Sequence, residues 1–367
     1  MQIKQLRLFH FRNYGYAHFE FHPGINIFFG ENAHGKTNVL EAIYFLATLQ
    51  SFRISESKGL IQWGHPEAYL EGLFLRETFD KKLSVLINME RQSPQINGKM
   101  IRKSADYFGS VQVICFHPPD MQILQGAPNL RRQYLDRAIF NFDPIYGVDI
   151  GNYYRALLQR NAALRFGRED LVQIWGERLH RLGAKVLLKR LQFIKKLNRL
   201  TSCLYREISG FPQQISVRYR SDVLDSTTDG IDEPALFDLL QKKQEQAIDQ
   251  ERKRKRSLVG PHRDDFSVFI MEKDLRYYGS QGEIKSAIMA LKLSEREIFE
   301  EDKGMHTLFL LDDISSELDD SRRERLFGLL QERKTQIFVT TTGLEDFKRY
   351  QKEAALFKIE NGQVHRI

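Results

Sequence analysis

Cys115 and Cys203 are the only cysteines in 367 residues. Two thiols cannot build a disulfide framework or a CxxC metal site, and such usage suits a reducing cytosol. No apolar run approaches the roughly 20 residues of a membrane span, and Met1-Gln2-Ile3-Lys4-Gln5-Leu6 carries no signal-peptide core. Internal repeats and low-complexity tracts are also missing, so no repeat array or disordered tail is expected. These absences predict a soluble, cytoplasmic protein without a membrane role, long enough for two domains.

What is present begins with charge. The net charge is +7, and it is unevenly placed: residues 151–210 hold 13 Lys/Arg against 4 Asp/Glu, so that stretch carries +9 and the rest of the chain −2. Concentrated positive charge suits a polyanion, nucleic acid or acidic lipid, and a solvated helical face is the alternative.

Residues 30–37 read Gly-Glu-Asn-Ala-His-Gly-Lys-Thr, a complete GxxxxGK[ST] phosphate-binding loop. Successive backbone N–H groups of such a turn point at phosphate oxygens, and the helix that follows adds its positive end. The context agrees on both sides. Ile25-Asn26-Ile27-Phe28-Phe29 is a short strand-like run, and Val39, Leu40, Ile43, Tyr44 and Leu46 recur at helical spacing. The nucleotide ligands expected from the loop are Gly30, Glu31, Asn32, Ala33, His34, Gly35, Lys36, Thr37 and Asn38. Lys36 would reach the β- and γ-phosphates of ATP or GTP, and the Thr37 hydroxyl would bind Mg²⁺. The run Thr307–Leu311 followed by Asp312-Asp313 supplies the rest of a hydrolytic site. Asp312 would hold the magnesium, and Asp313 would orient the attacking water.

Strand signals dominate the first ~110 residues: Tyr69–Arg76, Leu83–Met89, a turn at Asn97-Gly98, and Val111–Phe116. From Leu130 to Ala247 the pattern is helical, with Ser221–Glu233 read as a loop. Strands return after the basic run Arg252–Arg256, at Thr307–Leu311 and Gln336–Thr340. The final pair, Ala355–Glu360 and Gln363–Ile367, flanks the hairpin signal Asn361-Gly362. The expected fold class is α/β: a nucleotide-binding head with a mixed sheet from residues 1–125 and 250–367, and an inserted helical, basic lobe over 126–249. The insertion is too short, and its heptads too brief, for a long coiled-coil arm.

Gly279-Ser280-Gln281-Gly282 opens an apolar helix about 30 residues before the Asp312 strand, and Ser316-Glu317-Leu318-Asp319 follows the Asp pair. A serine and glycines at a helix N-terminus make an anion site that can serve a γ-phosphate held by a second copy. This arrangement resembles ABC-type ATPase heads. The SQG pattern in place of SGGQ, and Thr340-Thr341-Thr342 where transporters show histidine, point to the SMC-like repair branch.

Within that branch the whole chain resembles the RecF family of bacterial recombination mediators. The resemblance rests on Phe11-Arg12-Asn13-Tyr14, Gly30–Ile43, Phe116-His117-Pro118-Pro119-Asp120, Gly126 through Asp136, Leu258–Asp265, Gly279–Gly282 and Leu310–Asp319. Its departures are His34, where a small residue is usual, and Glu283-Ile284-Lys285 after SQG. The resemblance implies ATP and Mg²⁺ as cofactors and an ATP-dependent homodimer with Ser280, Gln281 and Gly282 acting in trans. Ser316 and Asp319 would form the D-loop, and Lys36 and Asp313 would be catalytic in slow hydrolysis. It also implies DNA as a partner (single-stranded, duplex and gapped), RecO- and RecR-type mediators, loading of RecA, replication restart and the SOS response.

For the DNA contacts, Lys185, Lys189, Lys196 and Arg199 share one helical face opposite Leu187, Leu191 and Ile194. Arg252–Arg256 is a second DNA candidate or a solvated loop. Arg131 and Arg132 are expected to be structural, salt-bridging the Asp136 region, His262 to order a loop near the nucleotide, and Arg53 to reach nucleotide or DNA. A transporter subunit and a purely structural DNA scaffold are the competing readings. A nuclease lacks a spare acid/histidine cluster.

Overall fold

Val113–Phe116, Leu308–Leu311, Gln336–Thr341 and Ile25–Phe29 are short runs without polar alternation, and nearly every residue in them is buried. Strands covered on both faces read this way, and here they lie side by side in parallel. The computed structural model describes residues 2–76, 79–101, 107–109, 111–224, 230–304 and 306–367. In chain order the strands are β1 (Gln2–Phe11), β2 (Tyr14–Glu20), β3 (Ile25–Phe29), β4 (Glu67–Arg76), β5 (Phe79–Asn88), β6 (Gln92–Ile96), β7 (Lys99–Met100) and β8 (Val113–Phe116). They continue with β9 (Ile215–Arg220), β10 (Asp265–Ile270), β11 (Lys273–Asp274), β12 (Leu308–Leu311), β13 (Gln336–Thr341), β14 (Ala354–Glu360) and β15 (Gln363–Arg366).

The chain divides into two compact units. One comprises Met1–Asp120, Glu207–Phe211 and Met289–Ile367; the other comprises Met121–Arg206 and Pro212–Ile288. The first holds two six-stranded sheets. One is an antiparallel sheet ordered β2-β1-β4-β5-β6-β7, and the other is ordered β15-β14-β3-β13-β12-β8, parallel except for the β14–β15 hairpin. That hairpin turns at Asn361-Gly362, and β6–β7 turns at Asn97-Gly98. All four turn residues have positive φ, the geometry that matches strand twist.

The helix Lys36–Thr48 is buried at every position except Thr37 and Asn38, so its sequence is apolar nearly all round. Val39, Ile43 and Leu46 join one core with Leu6, Leu70 and Val85 of the antiparallel sheet and Leu308, Leu310 and Phe338 of the other. Each such side chain contributes about 1.5–3 kcal/mol on burial.

The second unit carries the helices Pro128–Phe142, Pro144–Phe166 and Glu233–Arg254, most of the 41-residue helix Glu169–Ser209, and the sheet β11-β10-β9. Its punctuation is local. Pro128 and Pro144 open helices, the Asp143 carboxylate accepts from Ile145 N–H, and Gly167 ends a helix at φ 65°. Ala184 and Leu187 of the long helix pack on Leu236 and Leu240, which makes it part of a lobe and not a free arm.

Several expectations are corrected here. The lobe extends to Ile288, not residue 249, so the Gly279–Gly282 segment belongs to it. The stretch expected to be helical contains β9, whose partner β10 lies some fifty residues on. The strand expected from Val111 starts at Val113. Part of the expected loop Ser221–Glu233, residues 225–229, lies outside the described residues. Arg254 is still helical and Lys255 caps the helix at φ 53°, so most of the basic run complements a helix C-terminus, and Arg252 pairs with Glu169.

Arg131 and Arg132 also bind elsewhere than expected. Arg131 forks onto both oxygens of Asp265 at 2.7 and 2.9 Å, and Arg132 donates to Asp264 O. Asp136 is held instead by fully buried Arg190, which also binds Pro261 O and the Tyr146 hydroxyl. His262 lies in the same polar interior, its Nδ1 2.6 Å from the Tyr153 hydroxyl.

Candidate nucleotide site

Gly30 has φ 143°, and a Cβ there would come within 2.4 Å of Ile359 O; Gly35 has φ 114°, and a Cβ there would strike the Asn13 side chain at 2.6 Å. Only glycine fits either position, which explains both fixed glycines of the loop. The loop is braced from the β1–β2 turn. Asn13 donates to His34 O and accepts from the Asn38 amide, both at 2.8 Å, and the Tyr14 hydroxyl donates to Gly35 O at 3.0 Å.

Arg12, at φ 55°, forks onto the buried carboxylate of Glu41 at 2.7 and 2.9 Å, and the Ser51 hydroxyl donates to the same group. The Phe11–Tyr14 segment is therefore the scaffold of the phosphate loop, a role that its sequence did not disclose. Only the sheet pairing of β1 and β2 brings it there.

A cavity of about 430 Å³ is lined by Asn32, Ala33, Gly35, Lys36, Thr37 and Asn38 of the loop together with Arg53, Pro118, Asp312, Asp313 and Thr340. Lys36 Nζ donates to the carbonyls of Gly30 and Glu31 at 2.7 and 2.8 Å. Burial pushes the Lys36 ammonium down, and Asp313 and Asp312 oppose that shift. Thr37 Oγ1 donates to Asp312 Oδ1 at 2.8 Å, joining residues 275 positions apart, and Thr340 Oγ1 donates to the same oxygen at 2.7 Å. Burial pushes the Asp312 carboxyl up, and these two hydroxyls pull it back.

Asp313 adopts φ 51°, its N–H donating to Thr340 Oγ1, while its carboxylate accepts from the Ser316 hydroxyl at 2.7 Å. The Phe116–Asp120 segment reaches the same cavity through Pro118. Asp120 behind it is fixed by His117 Nδ1 at 2.7 Å and Lys292 at 3.2 Å.

The donor set suits a nucleotide with a divalent cation. A hard oxygen pair, the Thr37 hydroxyl and the Asp312 carboxylate, sits at the helix start beside a lysine and open backbone amides. Arg53 faces this cavity, donating to Asn38. Thr340 is the functional residue that sequence reasoning underplayed: its strand is legible in the sequence, but its contact with Asp312 is not.

The other expected residues are engaged by their own neighbours. Ser280 opens the helix Gln281–Lys303, and both its N–H and its hydroxyl donate to Glu283 Oε2 at 2.8 Å, a capping box. Gln281 and Gly282 form the first turn of that helix. Asp319 caps the helix Asp320–Glu332. The four cations expected to touch DNA do not form one open stripe. Lys189 is ion-paired with Asp143 at 2.7 Å and Asp149 at 3.3 Å, and Lys196 lies over the Phe142 ring. Lys185 is half-buried, and Arg199 alone of the four is exposed.

The family model described as RecF/RecN/SMC N terminal domain matches residues 2–365. The chain is 36% identical over 370 residues to the DNA replication and repair protein RecF of Halalkalibacterium halodurans, covering 99% of both chains. It is 35% identical to the RecF protein of Geobacter sulfurreducens, again over 99% of each. Among solved structures, the recombination mediator protein RecF with ATP, of the RecFOR pathway, superposes with a TM-score of 0.89. That match has 30% identity and covers 100% of this chain and 97% of the other. A solved Smc head bound to the C-terminal winged-helix domain of ScpA shares the fold, with a TM-score of 0.60 at 15% identity. The ABC-type ATPase head with an inserted lobe is thus the fold of this chain.

Proposed function

This chain belongs to the RecF family, within the RecF/RecN/SMC group, and from that membership we propose that it is an ATP-gated DNA-binding mediator of recombinational repair. In this reading ATP holds two copies together, the phosphate loop of one facing Ser280, Gln281 and Gly282 of the other. The dimer binds single-stranded, duplex or gapped DNA and releases it after slow hydrolysis. RecO- and RecR-type proteins would be its partners in loading RecA, in replication restart and in the SOS response, in the cytoplasm.

The observation that carries the reading is the convergence of Thr37, Asp312 and Thr340 beside Lys36. A magnesium ion held by Thr37 and Asp312 would neutralise phosphate charge when bound. Lys36 binds the terminal phosphates and is freed from its loop carbonyls to do so. Thr340 orients the Asp312 carboxylate, and the Asp313 backbone N–H is fixed by the same hydroxyl. Asp313 positions a water for attack, and Ser316 holds its carboxylate. Its short reach and prior bond to Ser316 suit slow turnover, as a timing switch needs.

Sedimentation with and without ATP and Mg²⁺, repeated with gapped DNA, tests the reading. It expects an ATP-dependent monomer-to-dimer shift, with DNA travelling only with the dimer, and loss of both in Lys36→Ala. Normal dimerisation and DNA binding by Lys36→Ala would overturn it.

A further inference from the structure

A large cleft in the second unit has no part in nucleotide chemistry. It runs between the helix Glu169–Ser209 and the helix Glu233–Arg254, with a volume of about 550 Å³ against about 430 Å³ at the phosphate loop. Its lining recurs along the two facing helices, from Glu169 to His180 on one and from Phe237 to Arg252 on the other. At 1.5 Å per residue those spans are about 16 and 22 Å long. The space is therefore a groove that suits a length of chain better than a compact metabolite.

Its floor holds an unused donor. Arg160 is 1% exposed, and its terminal nitrogens are taken by Ser257 and Glu251, each at 2.7 Å. The Arg160 Nε is buried and has no partner among the described residues. Opposite it stands Gly176, where a Cβ would lie 3.5 Å from that Nε and 3.7 Å from Gln244 Oε1. Glycine at 176 leaves no side chain packed against that Nε. A buried donor without an acceptor is unfavourable, and an incoming carbonyl oxygen relieves that cost.

The walls and rim narrow the choice of occupant. Val172 and Ile248 belong to one apolar cluster, and Phe237 adds a ring on the second helix. At the mouth, Glu169 is paired with Arg252 and Glu177 with Arg181, which leaves the exposed Glu245 as a one-carboxylate excess without an ion-pair partner among the described residues. This acidic excess sits in a lobe whose residues 151–210 carry +9, and it disfavours a nucleic-acid phosphate.

We propose that the groove takes an extended segment of a partner protein, about five to seven residues at ~3.3 Å each. An apolar side chain of that segment packs on Val172 and Ile248. A backbone carbonyl accepts from Arg160 Nε, and a lysine or arginine meets Glu245. An extended chain is required because a helix has already spent its carbonyls internally. The proposal does not depend on the ATP cycle.

The test is fluorescence anisotropy of the full-length protein with a fluorescein-labelled hexapeptide alternating leucine and arginine, and with its leucine–glutamate counterpart. The native chain binds the basic peptide saturably and at least tenfold more tightly than the acidic one. Gly176→Leu, which fills the groove, weakens that binding at least tenfold. Glu245→Lys, an exposed change that leaves folding intact, weakens it several-fold and flattens its salt dependence. Circular dichroism checks that each variant is folded. Absence of saturable binding by the native chain, or equal binding by native and Glu245→Lys proteins, overturns the proposal.

Discussion

Thr340 Oγ1 donates to Asp312 Oδ1 at 2.7 Å and itself accepts from the Asp313 N–H at 2.8 Å. One side chain on β13 thus sets both acidic residues that end β12. Thr340→Val keeps the shape and removes both bonds. Nucleotide hydrolysis should fall tenfold or more while ATP affinity changes much less, and Thr340→Ser should recover most of the activity. Steady-state turnover beside equilibrium ATP binding checks this split; equal defects in the Ser and Val variants would point to packing alone.

Glu283 holds the N–H and hydroxyl of Ser280, the groups that the proposed dimer would offer to a partner's γ-phosphate. A carboxylate at a helix N-terminus is worth about 0.3–1 kcal/mol and would have to be displaced. Glu283→Gln should tighten the ATP-dependent dimer a few-fold and leave the nucleotide-free protein monomeric. Sedimentation across a concentration series reads both quantities.

Glu41 is fully buried and depends on Arg12 for a forked ion pair. Removing one partner of such a pair leaves an uncompensated charge. Arg12→Ala should cost about 2–3 kcal/mol of stability, at or below the low end of the usual range, because Ser51 still donates and Arg53 still lies 3.6 Å from the same carboxylate. ATP affinity should fall with it, since Asn13 beside Arg12 braces the phosphate loop. Chemical denaturation and nucleotide titration measure the two effects.

Burial lowers the pKa of His262 from its ordinary 6.5 to about 4. Between those values the unfolded chain binds a proton that the folded chain does not. Stability contributed by His262 is therefore present above pH 6.5 and is lost as the pH falls towards 4. Asp264 runs the other way: burial raises its carboxyl to about 6, so its ionisation destabilises the fold as the pH rises from about 4 to 6. The two neighbours nearly cancel in the native protein. Against His262→Gln, the native chain should gain up to about 3 kcal/mol in relative stability between pH 4 and 6.5. Denaturation of both proteins at several pH values gives that difference directly.

Lys189 is tied to Asp143 and Asp149, whereas Arg199 is exposed on the same long helix. Arg199→Glu should weaken DNA binding and make its salt slope shallower by about 0.9 for each phosphate that is no longer neutralised. Lys189→Ala should leave that slope unchanged and lower the melting temperature instead. Binding isotherms across a salt series, paired with melts, separate the two.

The candidate nucleotide site was legible where it is local. A turn with glycines at residues 30 and 35, a lysine, a threonine and a following helix is written in eight adjacent positions, because backbone geometry demands those residue types in that order. Asp312 and Asp313 were legible as well, since an apolar run ending in carboxylates marks the end of a buried strand. The alternating strands of the antiparallel sheet and the Asn361-Gly362 hairpin were readable for the same reason: side-chain period and turn sterics act between near neighbours.

What only the tertiary structure decided was pairing across distance. Nothing near Arg131 tells it to choose Asp265 over Asp136, because Asp265 lies 134 positions away and either carboxylate would serve. The same holds for β9 finding β10, for Lys189 turning inward to Asp143, and for Arg12 crossing to Glu41. It holds above all for the groove over Arg160, whose walls come from two helices that are each ordinary when read alone. Local sterics fix which elements form; the competition among many equivalent charged and apolar partners is settled only when the chain packs.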